Sequence, residues 1–186
     1  MAASRFPRLV SLACHDLRTP LATVYGFART LTRAGELDER SARFIGMIEE
    51  ASEQMTVLLD GLGVAARIAG ERWDPVLVEV DTRELVESDD ERISVEGTGE
   101  AIETEREAVA HGLEALAIAA IRHGPAERVT WRVAGRALEL SPVTEAAAPV
   151  VLGDELKDLG SIVARMAIEE LGGSLELNGG TLLVTL

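Results

Sequence analysis

The sequence predicts an α+β protein: an N-terminal antiparallel helical hairpin forming a dimeric four-helix bundle, followed by a two-layer α/β sandwich. Three observations carry this expectation. Apolar residues recur every fourth and third position from Val10 to Ala65. The period stops at AGERWDP, residues 69–75, and the remainder alternates short β-type runs with two helical stretches. The expected division is residues 1–70 and 71–186.

In the first segment Val10, Cys14, Leu17, Leu21, Val24, Ala28 and Leu31 mark one side of a helix. AGELDER interrupts the pattern and places Asp38 to cap a second helix, where Phe44, Ile48, Ala51, Met55, Leu58, Leu62 and Ala65 repeat the spacing. A short loop makes the two helices antiparallel neighbours. Such a hairpin is a single layer and cannot bury two long stripes by itself. The simplest partner is a second copy of the chain, giving a two-fold symmetric bundle. The alternative is that the hairpin packs on the chain's own C-terminal part.

Pro75 blocks further helix. Beyond it VLVEV, RISVEG, RVTWRV, RALEL, SLEL and TLLVTL read as strands, being short, β-branched or leucine-rich, and often alternating. One helix is expected from about Glu105 to Arg122, with Val109, Leu113, Leu116 and Ala120 inward. Another is expected from about Leu159 to Leu171, with Val163, Met166, Ala167 and Leu171 inward. Strands with helices on one face make two layers. Glycine turns at 172–173 and 178–180 close the final hairpin.

Bulk composition narrows the function classes. The chain has 186 residues, 47% apolar and 27% charged, which is globular composition. Its 32 acids against 18 bases give a formal charge of −14, which repels phosphate backbones and anionic lipid, so neither nucleic acid nor a membrane is the expected partner. No apolar run approaches the roughly 20 residues of a membrane span. The start, MAASRFPRLVSLAC, superficially resembles a secretion signal, but its apolar stretch falls short of the usual ~7–15 residues and runs on into helix pattern. The single cysteine cannot close an internal disulfide, and its spacing to His15, His111 and His123 matches no metal motif. A reducing cytoplasm is the expected location.

One octapeptide carries chemistry: CHDLRTPL, residues 14–21. A neutral imidazole has a free ring nitrogen able to attack phosphorus, and a carboxylate one residue away can hold the other N–H and fix the tautomer. His15 and Asp16 fit these two roles. Thr19 lies four residues after His15 and three after Asp16, on a neighbouring part of one helical surface, where its hydroxyl can align a water. Arg18 completes the candidate catalytic set. Pro20 removes a backbone hydrogen bond and should bend the helix nearby. The plainer readings make Asp16 a solvated acid, Arg18 a surface cation, and Thr19 an N-cap for a helix restarting at Pro20. Cys14 falls on the apolar stripe and is read as packing.

CHDLRTPLATVYGFARTL, followed by a second helix and a mixed α/β part, resembles the catalytic core of bacterial sensor histidine kinases. The resemblance implies that the first two helices dimerise, that His15 is the phosphoacceptor, that Thr19 occupies the phosphatase position, and that the α/β part has the fold of an ATPase domain. It also exposes departures at the nucleotide site. The family's two asparagines, one of them a Mg²⁺ ligand, fall on Ala115 and Ala119; its adenine-reading D-x-G-x-G falls on Ser141 to Glu145. Its glycine-rich phosphate box falls on LKDLGS, keeping Gly160 but placing Asp158 where a glycine belongs. The stretch from Glu145 to Asp158 is short for a nucleotide lid. Arg122 and His123, at a basic-aromatic position of the family, are read as surface or packing residues, and His111 as structural.

The expectation is therefore a homodimeric histidine phosphotransferase, similar to kinase-derived relay proteins, that passes phosphoryl groups between response-regulator receiver domains through His15 without ATP. It has no intrinsic cofactor, and Mg²⁺ comes from the receiver's acidic pocket. The alternatives are a noncatalytic pseudo-histidine kinase and a divergent active kinase.

Overall fold

The computed structural model describes residues 5–35 and 37–186; the first four residues of the signal-like start, and Glu36 in the predicted turn, lie outside the described residues. Contacts divide the chain into two compact units, Met1–Glu71 and Arg72–Leu186.

In the first unit, helix α1 spans Arg5–Ala34 and α2 spans Glu39–Ile68. Asp38 caps α2, accepting from the Ser41 hydroxyl at 2.7 Å and the Ser41 N–H at 3.0 Å. Those two bonds, the hydroxyl's first, hold the Asp38 carboxyl below its ordinary range. Helix α1 runs through Pro20 without a break, so Thr19 is an interior residue and not a cap; a proline there costs one helical bond, which the rest of a long helix absorbs.

The two helices meet along a stripe that differs from the predicted one. On α1 the buried residues are Pro7, Cys14, Leu21 and Ala28, seven apart; Leu17, Val24 and Leu31 of the same predicted stripe are exposed. On α2 the buried residues are Ser52, Gly63 and Ala66, whereas Phe44, Ile48, Met55, Leu58 and Leu62 face outward. Small residues let the helix axes approach, and Ser52 and Thr56 return their hydroxyls to the carbonyls one turn back, at 2.7 and 2.9 Å. Periodicity identified the apolar face of α2 but could not say what that face meets.

The second unit holds two sheets. Strands β1 (Val78–Asp81) and β3 (Ala101–Thr104) pair antiparallel. Strands β2 (Ile93–Gly99), β4 (Val129–Gly135), β5 (Ala137–Ser141), β6 (Ser174–Asn178) and β7 (Thr181–Thr185) form a five-stranded sheet in the order β2-β4-β5-β7-β6. Only β2 and β4 are parallel. Parallel neighbours require a crossover, which here contains helix α3 (Arg106–Arg122). Helix α4 is a single turn, Ala148–Val151, and α5 spans Leu159–Glu170.

Alternate strand residues, among them Trp131, Leu138, Leu140, Leu182 and Val184, enter one core with Val109, Leu113, Leu116 and Ala120 of α3. The predicted inward face of α3 is thus the observed one. That of α5 is shifted: Ala164 and Ile168 are fully buried with Ala167, while Met166 and Leu171 are half-buried. The sequence reading also missed β3, only four residues long, and α4, whose run of alanines and valines has no period of its own. In the final hairpin Gly179 and Gly180 take φ of 55° and 85°, backbone that residues with a β-carbon rarely adopt.

Candidate functional site

His15 and Asp16 stand on the solvent side of α1, with 76% and 67% of their side chains exposed. His15 Nδ1 lies 3.3 Å from Asp16 Oδ1. An ionised carboxylate only accepts, so the neutral tautomer that uses this contact donates from Nδ1 and has the lone pair of Nε2 free. The long-range part of the same surface comes from α2: Arg18 Nη2 donates to Asp60 Oδ1, 42 residues away in sequence. Two turns further along α1, Tyr25 donates to Glu53 at 2.7 Å, and Arg29 stacks 5.4 Å from the Tyr25 ring centre. The Glu53 acceptor raises the Tyr25 hydroxyl above its ordinary value.

His15, Arg18, Thr19, Ala22 and Thr23 line a shallow, solvent-open depression. The four predicted catalytic residues therefore share one region of α1, and His15, Arg18 and Thr19 share the depression itself. Thr23 returns its hydroxyl to the Thr19 carbonyl at 3.1 Å, whereas the Thr19 hydroxyl has no hydrogen bond among the described residues. Asp60, Glu53 and Tyr25 were not foreseen; each depends on the register of α1 against α2, for which the sequence carries no signal. Cys14 is 3% exposed in the hairpin interior.

Of the positions that the resemblance aligns with a nucleotide site, Ala115, Asp158 and Gly160 meet at the start of α5. Asp158 is its N-cap, and Oδ1 accepts from the Ser161 N–H at 3.1 Å. Its Oδ2 accepts from Arg122 Nη1 at 3.1 Å and lies 3.5 Å from His123 Nε2. The carboxylate is 8% exposed. The positive end of α5 thus already holds an anion, supplied by the chain itself. Arg122 and His123, read as surface or packing residues, are 64% and 23% exposed and flank this carboxylate.

Gly160 faces Ala115 of α3 so closely that an added β-carbon would stand 2.7 Å from the alanine's. Ala119 is completely buried. Neither alanine offers an oxygen or nitrogen to a cation, and among the described residues no group of three or more His, Cys, Asp or Glu is placed to hold a metal. Ser141 ends β5, and Glu145 is exposed, so Asp158 alone of the two predicted acids fills the region. Between them α4 sinks Val150 and Val151 into the interior. The residues present at this site do not fit a magnesium nucleotide. His111, read as structural, is exposed on α3, whose buried face is carried by Val109, Gly112, Leu113 and Leu116 instead.

Residues 8–70 match the family described as HisKA, His Kinase A (phospho-acceptor) domain. The fold is similar to that of ShkA full-length in complex with AMPPNP, with a TM-score of 0.64 at 18% identity, covering 96% of this chain and 44% of that one. It is also similar to the Acinetobacter baumannii histidine kinase AdeS, with a TM-score of 0.54 at 18% identity, covering 92% and 96%. A bacterial phosphotransferase overlays with a TM-score of only 0.38 at 13% identity, covering 96% of this chain and 94% of that one, which carries no argument. No curated protein matches the sequence. The chain thus has the fold of a histidine kinase core: a HisKA-type hairpin followed by an ATPase-like α/β domain. It spans less than half the length of ShkA. No helix among the described residues is long and apolar enough to cross a membrane.

Proposed function

We propose that the protein is a histidine phosphotransferase that accepts a phosphoryl group from the aspartyl phosphate of one response-regulator receiver domain and delivers it to another. What supports this reading is the solvent-exposed His15 with Asp16 beside its Nδ1 and, in the α/β unit, the Asp158 carboxylate at the N-terminus of α5, where the resemblance expects a phosphate-binding glycine.

In the forward step Nε2 attacks phosphorus in line with the acyl oxygen. The N–P bond forms as the P–O bond breaks, and the receiver carboxylate leaves with the electron pair. The ring is then cationic, and Asp16 at Nδ1 offsets that charge. In the return step a second receiver's carboxylate attacks phosphorus and the N–P pair goes back to Nε2, so no net proton is exchanged. Phosphoryl transfer depends on positioning and charge neutralisation. Here the cation is the Mg²⁺ of the receiver's acidic pocket, and no ATP is used. Thr19 can align a water for hydrolysing a receiver's aspartyl phosphate, a reverse activity on the same surface. The exposed stripes of α1 and α2 pair with a second copy, completing a four-helix bundle.

The test is transfer of radiolabel from phosphorylated receivers, with His15→Ala as control; a wild type that stays unlabelled with every cognate receiver sinks the reading. Tight binding of Mg-ATP by calorimetry would restore a divergent kinase. Signalling that survives His15→Ala in cells would favour a noncatalytic regulator.

A further inference from the structure

Among the described residues Arg18 is the only Lys or Arg lining the depression beside His15, and its guanidinium reaches across the hairpin to Asp60 of α2. Both partners are about half exposed, at 44% and 54%, so the pair is screened by water and exchanges readily. His15 itself is flanked by Asp16, an anion. A phosphoryl group on Nε2 would add nearly two further negative charges within one helical turn of Arg18. A guanidinium binds phosphate oxygens as a planar fork, a better match than a single carboxylate oxygen. Two anions would then compete for one cation.

We propose that Asp60 is a positioning residue that holds Arg18 in reserve, yielding it to the phosphoryl group when His15 is loaded and reclaiming it when the group leaves. This rests on the phosphotransfer reading of His15. Asp60 thereby weakens the hold on the phosphoryl group and keeps the loaded state ready to discharge. Asp16 and the Arg18–Asp60 pair are charged groups of the two helices near it, and Arg67 of α2 brings its guanidinium to 3.5 Å from where a β-carbon on Gly63 would stand.

The full chain is loaded with phosphoramidate, a small phosphodonor that needs neither receiver nor nucleotide, with His15→Ala as the blank. The ³¹P shift of the phosphohistidine is then followed against pH. A nearby guanidinium favours the dianion, so freeing Arg18 by Asp60→Asn should lower the phosphoryl titration midpoint by about half a unit, and Arg18→Gln should raise it by a similar amount. Asp60→Asn should lose most of its effect in the Arg18→Gln background. Asp60→Glu, which keeps the carboxylate, should titrate as the wild type. An equal downward shift in both backgrounds, or no shift in either single variant, overturns the role of Asp60 while leaving phosphotransfer intact. A wild type that takes no phosphoryl group on His15 overturns both.

Discussion

Ala115 on α3 and Gly160 on α5 are in such close register that a β-carbon on the glycine would stand 2.7 Å from that of the alanine. Gly112 and Ala164 make a second close approach between the same helices, at 3.1 Å for an added β-carbon. Overpacking of this kind costs about 1–3 kcal/mol. Gly160→Ala should therefore lower the melting temperature of the α/β unit by about 5–15 °C, following the usual scaling for a domain near this size. Adding Ala115→Gly should recover part of the loss. Differential scanning calorimetry reads both, and a Gly160→Ala variant as stable as the wild type would contradict the packing.

Asp158 caps α5 and faces Arg122 and His123. Asp158→Ala removes the cap and leaves the Ser161 N–H without its acceptor. Because Arg122 is 64% exposed, most of the effect should come from the cap, about 1–2 kcal/mol in urea denaturation. Asp158→Asn, which can still accept from Ser161, should lose less.

Val24 and Leu58 are 47% and 51% exposed on the single hairpin, so a charge at either costs little within one chain. If a second copy covers them, Val24→Asp or Leu58→Asp should convert a dimer to a monomer in analytical ultracentrifugation. A monomeric wild type at micromolar concentration would remove the bundle.

Loading of His15 from a phosphorylated receiver should vanish in His15→Ala and fall by about 10–100-fold in Asp16→Asn, which can no longer offset a charged ring. The second variant should retain its circular dichroism spectrum, since Asp16 is exposed and its side chain bonds only the imidazole among the described residues.

Asp90 has its carboxyl lowered to about 2, first by the hydrogen bonds from the Arg92 side chain and then by the Arg92 N–H. A folded value below the unfolded one, near ~3.9, means that the stability from this pair is fully present above that pH and is lost as pH falls through 2. Carboxyl ¹³C titration should place Asp90 well below the other aspartates, and Arg92→Gln should return it toward the ordinary value.

Much of this architecture was legible because local patterns and tertiary packing agree. Val109, Leu113, Leu116 and Ala120 were readable as one face, and HDLRTPL singled out the stretch of α1 that carries the candidate site. What escaped has a common cause. Ser52, Gly63 and Ala66 form the inner face of α2 without being its most apolar face, since close helix approach rewards small side chains that a hydropathy pattern overlooks. The same limit hid Asp60, whose importance comes from a partner 42 residues away. Asp158 stood out in the sequence, yet its ties to Arg122 and His123 depend on where α3 ends relative to α5.

On the proposed phosphotransfer role, the Nδ1 contact between His15 and Asp16 has an energetic corollary. A ring that keeps its second proton is a good leaving group, so a phosphoryl group parked there retains a high transfer potential instead of settling into a sink. Traffic through such a carrier runs close to equilibrium, and its net direction follows which receivers are charged and which are empty.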